Sequence, residues 1–339
     1  MQDRERQILR DISAPDENVV RTLRSMQGDL LMLGAGGKIG HGLALMAKRG
    51  FEAAGNRNRV LAVSRFTSAD SRSALEDDGI TTIACDLSDV DAVEKLPDAS
   101  DIVYLAGQKF GTSQNMSLTW MLNTVVPGVV ARRWPGSRIA VYSSGNVYPF
   151  TPVASGGPDE SVDPSPIGEY AQSVLGRERI FEHYSRTLGT KVTIIRLNYA
   201  NEPRYGVLVD LAARILANEP IDLSQGHVNL LWQGDCNRIT LRSFEIAGTP
   251  PTVLNLAGPE IVAVRDLANR LGAALGVEPV FAGRPADTAL LSDATYCWSF
   301  FGPPQVGVEQ MIDSVAAHLR GGGKTMGKPT HFEARDGKF

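Results

Sequence analysis

The stretch Asp29-Leu30-Leu31-Met32-Leu33-Gly34-Ala35-Gly36-Gly37-Lys38-Ile39-Gly40 decides the fold. An apolar run of strand length ends in closely spaced glycines, and a helical stretch, residues 41–49, follows. A strand that enters a helix through such a turn brings backbone N–H groups and the positive end of the helix dipole against a phosphate. The glycines at 34, 37 and 40 form a GxxGxxG spacing, and Lys38 and Ile39 lie inside it. A tight turn without a ligand would use the same glycines, so the flanking pattern has to separate the two readings.

Working outward, the strand–helix rhythm repeats. Residues 60–63, 80–85, 101–106, 138–142 and 191–197 are short β-rich runs with helical patterns between them. Such alternation predicts a parallel sheet covered on both faces. After about residue 200 the rhythm changes. Helices are predicted over 208–218, 264–275, 286–301 and 308–319, and a strand over 253–256. Before the first strand, residues 1–28 read as a helical preface, with Ser13-Ala14-Pro15-Asp16 as a helix start. The expected fold is α/β: a Rossmann-like doubly wound parallel sheet with a smaller α/β C-terminal substrate lobe. The expected divisions are an extension at 1–28, a dinucleotide-binding domain at 29–200, and a lobe at 201–320 interleaved with it. A glycine-rich, flexible tail is expected at 321–339.

Composition narrows the function. The 339 residues carry 34 basic and 38 acidic side chains, a net charge of −4. A slightly acidic chain without a Lys/Arg run is a poor nucleic-acid binder. No run approaches the roughly 18 apolar residues of a membrane span, and the charged N-terminus does not read as a signal peptide. Cys85, Cys236 and Cys297 are far apart and suggest neither a disulfide framework nor a metal site. The default is a cytoplasmic protein that handles a small molecule. Only eight of the basic residues are lysines, and none lies between Lys109 and Lys191.

The end of the second strand bears on the cofactor. An acid there bonds the ribose of NAD, whereas a base accommodates the extra phosphate of NADP. Ser64-Arg65 stands at that place, and arginine matches phosphate geometry. NADP is the preferred expectation and NAD the alternative; a solvated surface arginine is the plain reading of Arg65.

The order of motifs resembles the extended short-chain dehydrogenase/reductase superfamily, in particular the NAD(P)-dependent epimerase/dehydratase family, over roughly residues 29–320. Gly34, Gly37 and Gly40 match its opening turn. Asp86-Leu87 is similar to its adenine-contacting pair. Leu105-Ala106-Gly107 is similar to the loop along the cofactor, with Lys109 just beyond, and Asn123 matches an asparagine in the next helix. Tyr142-Ser143-Ser144-Gly145-Asn146-Val147-Tyr148 resembles the Ser-Ser-x-x-Val-Tyr segment. That register implies Ser144 as the catalytic hydroxyl. Residues 149–167 form a long connection of the kind that often acts as a lid. Tyr170-Ala171-Gln172-Ser173-Val174 then resembles Tyr-x-x-Ser-Lys, with Tyr170 as the implied acid/base.

Val174 occupies the lysine position of that pattern. The resemblance gives this lysine two tasks: it lowers the phenol pKa and bonds the nicotinamide ribose. A phenol with a pKa near 10 needs such help to act as a base at neutral pH. Lys109 is the substitute the sequence offers, and Arg177 reads as a surface or inter-helix ion pair. On the substrate side, Asn146, Asn198, Tyr199 and Asn201 are candidates for a substrate hydroxyl, or else cap the strand end. Glu202 stands in place of a family glycine, and Asn229 in place of an arginine that holds a sugar-nucleotide diphosphate; Arg204 and Arg238 are the nearby cations that compensate in this reading. The resemblance implies an NAD(P)-dependent oxidoreductase, epimerase or dehydratase on a carbohydrate-like metabolite, and a homodimer. The alternative is a non-catalytic NAD(P)-binding regulatory or sensor protein.

Overall fold

A computed structural model describes residues 2–338. Seven parallel strands form the central sheet: β1 (Leu30–Leu33), β2 (Val60–Ser64), β3 (Thr81–Ala84), β4 (Asp101–Tyr104), β5 (Arg138–Ser144), β6 (Lys191–Leu197) and β7 (Thr252–Leu256). Their order is β7-β6-β5-β4-β1-β2-β3. The strand order reverses beside β1, and ligands of open α/β sheets bind in the crevice at such a switch point. Leu30 aligns with Val60 on one side and Asp101 on the other.

The inner strands of the sheet are buried on both faces because they are mostly apolar, while the edge strand β3, Thr-Thr-Ile-Ala, is half-exposed. Leu30 and Met32 join the core on one face, while Leu31 and Leu33 join the core on the other. The first face is covered by helices α1 (Gln2–Ile12), α2 (Glu17–Arg24) and α3 (Gly40–Ala53), together with a later helix, Gln233–Arg242. The second face is covered by helix α4 (Gly168–Leu188) and three consecutive helical pieces, Met116–Trp120, Met121–Val125 and Val126–Arg133. The middle piece is a π-helical turn that turns Asn123 inward, fully buried.

The second lobe has its own core between helices Val207–Leu216, Val264–Leu275 and Val308–Arg320. Ile8 and Ile12 of α1 enter the same core, so the N-terminal extension bridges both lobes. β7 returns from the second lobe to the sheet edge and ties the two together.

Three local expectations differ from the structure. Helix α2 starts on Asp16, whose carboxylate accepts from the Val19 N–H, and not on Ser13, whose hydroxyl bonds back to the Leu9 carbonyl. Within 286–301, only Thr295–Phe301 is helical. Thr288–Ala289 instead pairs antiparallel with Thr151–Pro152, because the connection after β5 offers an open edge. The tail also departs from expectation. It is bonded at several points to the second lobe, and the next subsections show where it runs.

Candidate functional site

The glycine turn is built for close approach. Gly34 has φ of +91°, and a Cβ there would lie 2.5 Å from the Ala106 nitrogen. A side chain at Gly37, by contrast, would meet nothing closer than 3.6 Å, so glycine leaves the cleft floor bare at that point. Helix α3 starts just beyond, and no side chain caps it. Bare backbone plus an uncapped helix end suits a pyrophosphate.

From this floor a cleft of about 770 Å³ opens toward the second lobe. Gly34, Gly37, Lys38, Ile39, Gly40, Leu105, Gly107 and Lys109 line its sheet side. A recess of about 270 Å³ adjoins it, lined by Ser64, Arg65, Asp86, Leu87 and Ala106 among others. The recess therefore gathers the residues expected around adenosine. The Asp86 carboxyl is held below its ordinary range by the N–H and hydroxyl of Ser88. Asn123 lines neither space. Its amide bonds the Gln108 N–H and carbonyl and the Ser173 hydroxyl, which fixes the loop after β4 from behind.

At the end of β5 the chain turns through Ser144, whose oxygen lies 2.9 Å from the Asn146 side-chain oxygen. Ser144 also interacts with the phenol of Tyr170, in the first turn of α4. Burial holds that phenol above its ordinary pKa, against the pull of Arg177 and of Ser144. Tyr170 stands just behind the cleft lining. The Lys109 ammonium lies 5.8 Å from its ring centroid and donates to the Thr330 carbonyl at 3.3 Å. Burial pushes the Lys109 pKa down to about 8, so the ammonium is still mostly charged at neutral pH.

Val174 is 1% exposed and packs with Val147 and Tyr148. Arg177, read from sequence as a surface or ion-pair residue, is 5% exposed and makes neither kind of contact. It donates to the Tyr142 carbonyl at 2.8 Å and to the Asn123 side chain at 2.7 Å. Its place under Gly107 is tight, since a Cβ on that glycine would lie 2.1 Å from the guanidinium. The seven-residue spacing from Tyr170 was the signal, because it puts both on one face of α4.

Four asparagine and tyrosine candidates separate in the structure. Asn146, Asn198 and Tyr199 line the cleft. Asn198 is 4% exposed, and its amide nitrogen has no partner, a buried donor left over for a ligand. Tyr199 takes φ of +48°, and its hydroxyl bonds the Leu290 carbonyl. Asn201 is spent on structure, bonding the Tyr199 carbonyl and the Leu208 N–H.

The connection at 149–167 contributes nothing to the cleft lining. It is stitched down elsewhere: the Asp159 carbonyl accepts from Tyr148, and Glu160 accepts from the Asn255 N–H. The wall facing solvent is instead formed by residues 327–332 of the tail. Sequence reading missed these, along with Phe110 and Tyr205. The tail lies beyond the matched motifs, and only its lysines gave a signal.

Comparison with known proteins agrees with this architecture. Residues 30–235 match the NAD dependent epimerase/dehydratase family. A search of curated proteins finds no match. Among solved structures, MoeE5 in complex with UDP-glucose and NAD aligns with a TM-score of 0.70 at 19% identity, covering 87% of this chain and 99% of that one. UDP-glucuronic acid 4-epimerase from Bacillus cereus, in complex with NAD, aligns with a TM-score of 0.71 at 16% identity, covering 86% and 96%. UDP-glucose 4-epimerase from Thermus thermophilus, in complex with NAD, aligns with a TM-score of 0.71 at 19% identity, covering 86% and 99%. At these identities the likeness speaks for the fold alone. The family match spans well over half the chain and contains the glycine turn, the end of β5 and the helix of Tyr170; the chain belongs to the NAD-dependent epimerase/dehydratase family.

Proposed function

We propose that the protein is an NAD(P)-dependent oxidoreductase, epimerase or dehydratase acting on a hydroxyl- or carbonyl-bearing, carbohydrate-like metabolite. The observation that carries this reading is the juxtaposition of Tyr170 and Ser144 beside a cleft whose floor is the bare glycine turn. Gly34, Gly37 and Gly40 would hold the pyrophosphate, and Asp86 and Leu87 the adenosine. Ser64 and Arg65 suit the 2′-phosphate of NADP. The bound nicotinamide supplies or accepts a hydride.

The protein's own groups manage the proton. Ser144 orients and polarises the substrate oxygen, and Tyr170 exchanges the proton on it. With its pKa raised, Tyr170 is a neutral phenol at pH 7, the form needed to donate to a carbonyl. Lys109 supplies the positive field that Val174 cannot. Asn198 offers its spare amide donor to the bound ligands. The exposed apolar side chains Met116, Leu118, Trp120 and Val125, on the helical pieces beside α4, suit a homodimer; sedimentation that shows a monomer at working concentration would refute it.

Titration with NADH and NADPH tests the floor of the site, with NADPH expected to bind more tightly. Absence of binding by either would end the reading. Tyr170→Phe then tests the chemistry: cofactor affinity is kept, and turnover falls by about 100-fold or more. The regulatory reading is favoured by the missing lysine alone, and it predicts cofactor binding without turnover in the unmodified protein.

A further inference from the structure

The tail runs across the open side of the cleft and is fastened along its length. The Lys324 carbonyl lies 2.9 Å from a ring nitrogen of His318, and the Met326 N–H donates to the Arg204 carbonyl at 2.9 Å. Thr330 donates to Asp210 through both its N–H and its hydroxyl, at 2.8 and 2.6 Å. Phe332 is buried in the second core. Arg335 donates to the Thr288 carbonyl and to Gln225. Gly337 lies against Ile167 and Gly168, at the start of the helix that carries Tyr170; a Cβ on it would sit 2.4 Å from the Ile167 carbonyl oxygen.

Three of the eight lysines meet in this cleft, each from a different part of the chain: Lys38, Lys109 and Lys328. The first two flank the Phe110 ring, at 4.4 and 5.7 Å from its centroid, and Lys38 also lies 3.5 Å from the centre of Tyr205. Among the acids nearby, Glu202 is paired with Arg204, while Asp210, hydrogen-bonded by Thr330, is a partial counter-charge to Lys38 and Lys109, as Glu333 is to Lys109. Burial and the repulsion of Lys109 and Lys328 push the Lys38 pKa down to about 7, so like charges are held close together at a cost. The guanidiniums that could receive a diphosphate are closed off. Arg204 grips Glu202, Arg238 grips Asp235, and Asn229 is buried and bonded to the Ser292 carbonyl.

We propose that the cleft takes a small anionic substrate, a sugar derivative bearing a carboxylate or phosphate but no nucleotide. Its charged group is held by Lys38, Lys109 and Lys328, and residues 327–332 are the wall that completes the site. The proposal rests on the reading of this cleft as a substrate site and narrows the substrate within it.

The test is calorimetric titration of the full chain, saturated with whichever of NADPH and NADH binds more tightly, using malonate, inorganic phosphate and UDP as probes. Malonate or phosphate is expected to bind, and the stronger of the two identifies the charged group. Lys328 is exposed, so Lys328→Met folds; it is expected to weaken that binding by about tenfold or more while cofactor affinity is unchanged. The proposal is overturned if neither anion binds, if the variant loses less, or if UDP binds more tightly than both. It is also overturned if Lys328→Met weakens cofactor binding, since the cluster would then serve the cofactor. Failure of both NADPH and NADH to bind the unmodified protein defeats the functional reading itself, whereas cofactor binding without anion binding defeats only this inference.

Discussion

Two groups of charges stand on either side of the end of β5, and they are organised in opposite ways. Behind the strand, Arg196 and Glu178 are both almost fully buried and share a double hydrogen bond at 2.8 and 3.0 Å. Tyr148 accepts from the same guanidinium at 2.7 Å, and Ser143 donates to the same carboxylate. In front of the strand, Lys38, Lys109 and Lys328 crowd like charges around the cleft. The first group satisfies itself and asks nothing of a ligand. The second raises the energy of the unliganded protein and returns it when an anion arrives. Closed networks mark scaffold, and crowded like charge marks a place where something binds.

Breaking the closed group should have the largest effect. Glu178→Gln leaves the Arg196 charge buried without its counter-ion, and is expected to cost about 3–5 kcal/mol in urea unfolding. A loss below about 1 kcal/mol would mean that the network is not the scaffold described. Next comes Asn123→Ala, which removes the acceptor of Arg177 and the fastening of the 107–109 loop. About 1–3 kcal/mol should be lost, read by thermal or urea unfolding. An unchanged midpoint would show that the loop is held by other contacts.

Val174→Lys tests the relocated cation. The longer side chain must enter the packed space between Val147 and Tyr148, so a cost of about 1–3 kcal/mol is expected, with no gain in turnover. A rise in turnover would show that Lys109 does not replace the family lysine. The last test concerns the front group itself. The Lys38 pKa is lowered from its ordinary value to about 7, so between pH 7 and about 10.5 the unfolded chain binds the extra proton. The penalty is fully present below pH 7 and fades as the pH rises through that window. Lys38→Met should therefore stabilise the unliganded protein most at pH 6.5 and progressively less toward pH 10, in paired unfolding curves. A difference that does not change with pH would remove the crowded-charge account.

The sheet was legible because strand patterns and glycine turns are local: β1 to β7 follow from short β-rich runs of four to seven residues. The neighbourhood of Ser144 and Tyr170 was legible because it rests on two short motifs. Three things were not. The burial of Arg177 depends on a gap beneath Gly107 that belongs to a different segment. The structural role of Asn201 depends on the positions of the Tyr199 carbonyl and the Leu208 N–H. The tail was misread because glycine content suggests freedom, whereas Thr330, Phe332 and Arg335 find partners far away in sequence. The gap beneath Gly107 and the partners of the tail are tertiary; the bonds of Asn201 are local, but residue type alone does not say whether its amide serves the backbone or a ligand.

The docking of the tail also sets an order of events during synthesis. The glycine turn and the strands around it leave the ribosome well before Thr330 and Phe332 do. A nascent chain thus has the floor for a dinucleotide long before it has the wall for a substrate. The helix of Tyr170 is made between the two, and the tail is fully seated only when Gly337 comes to rest on Gly168.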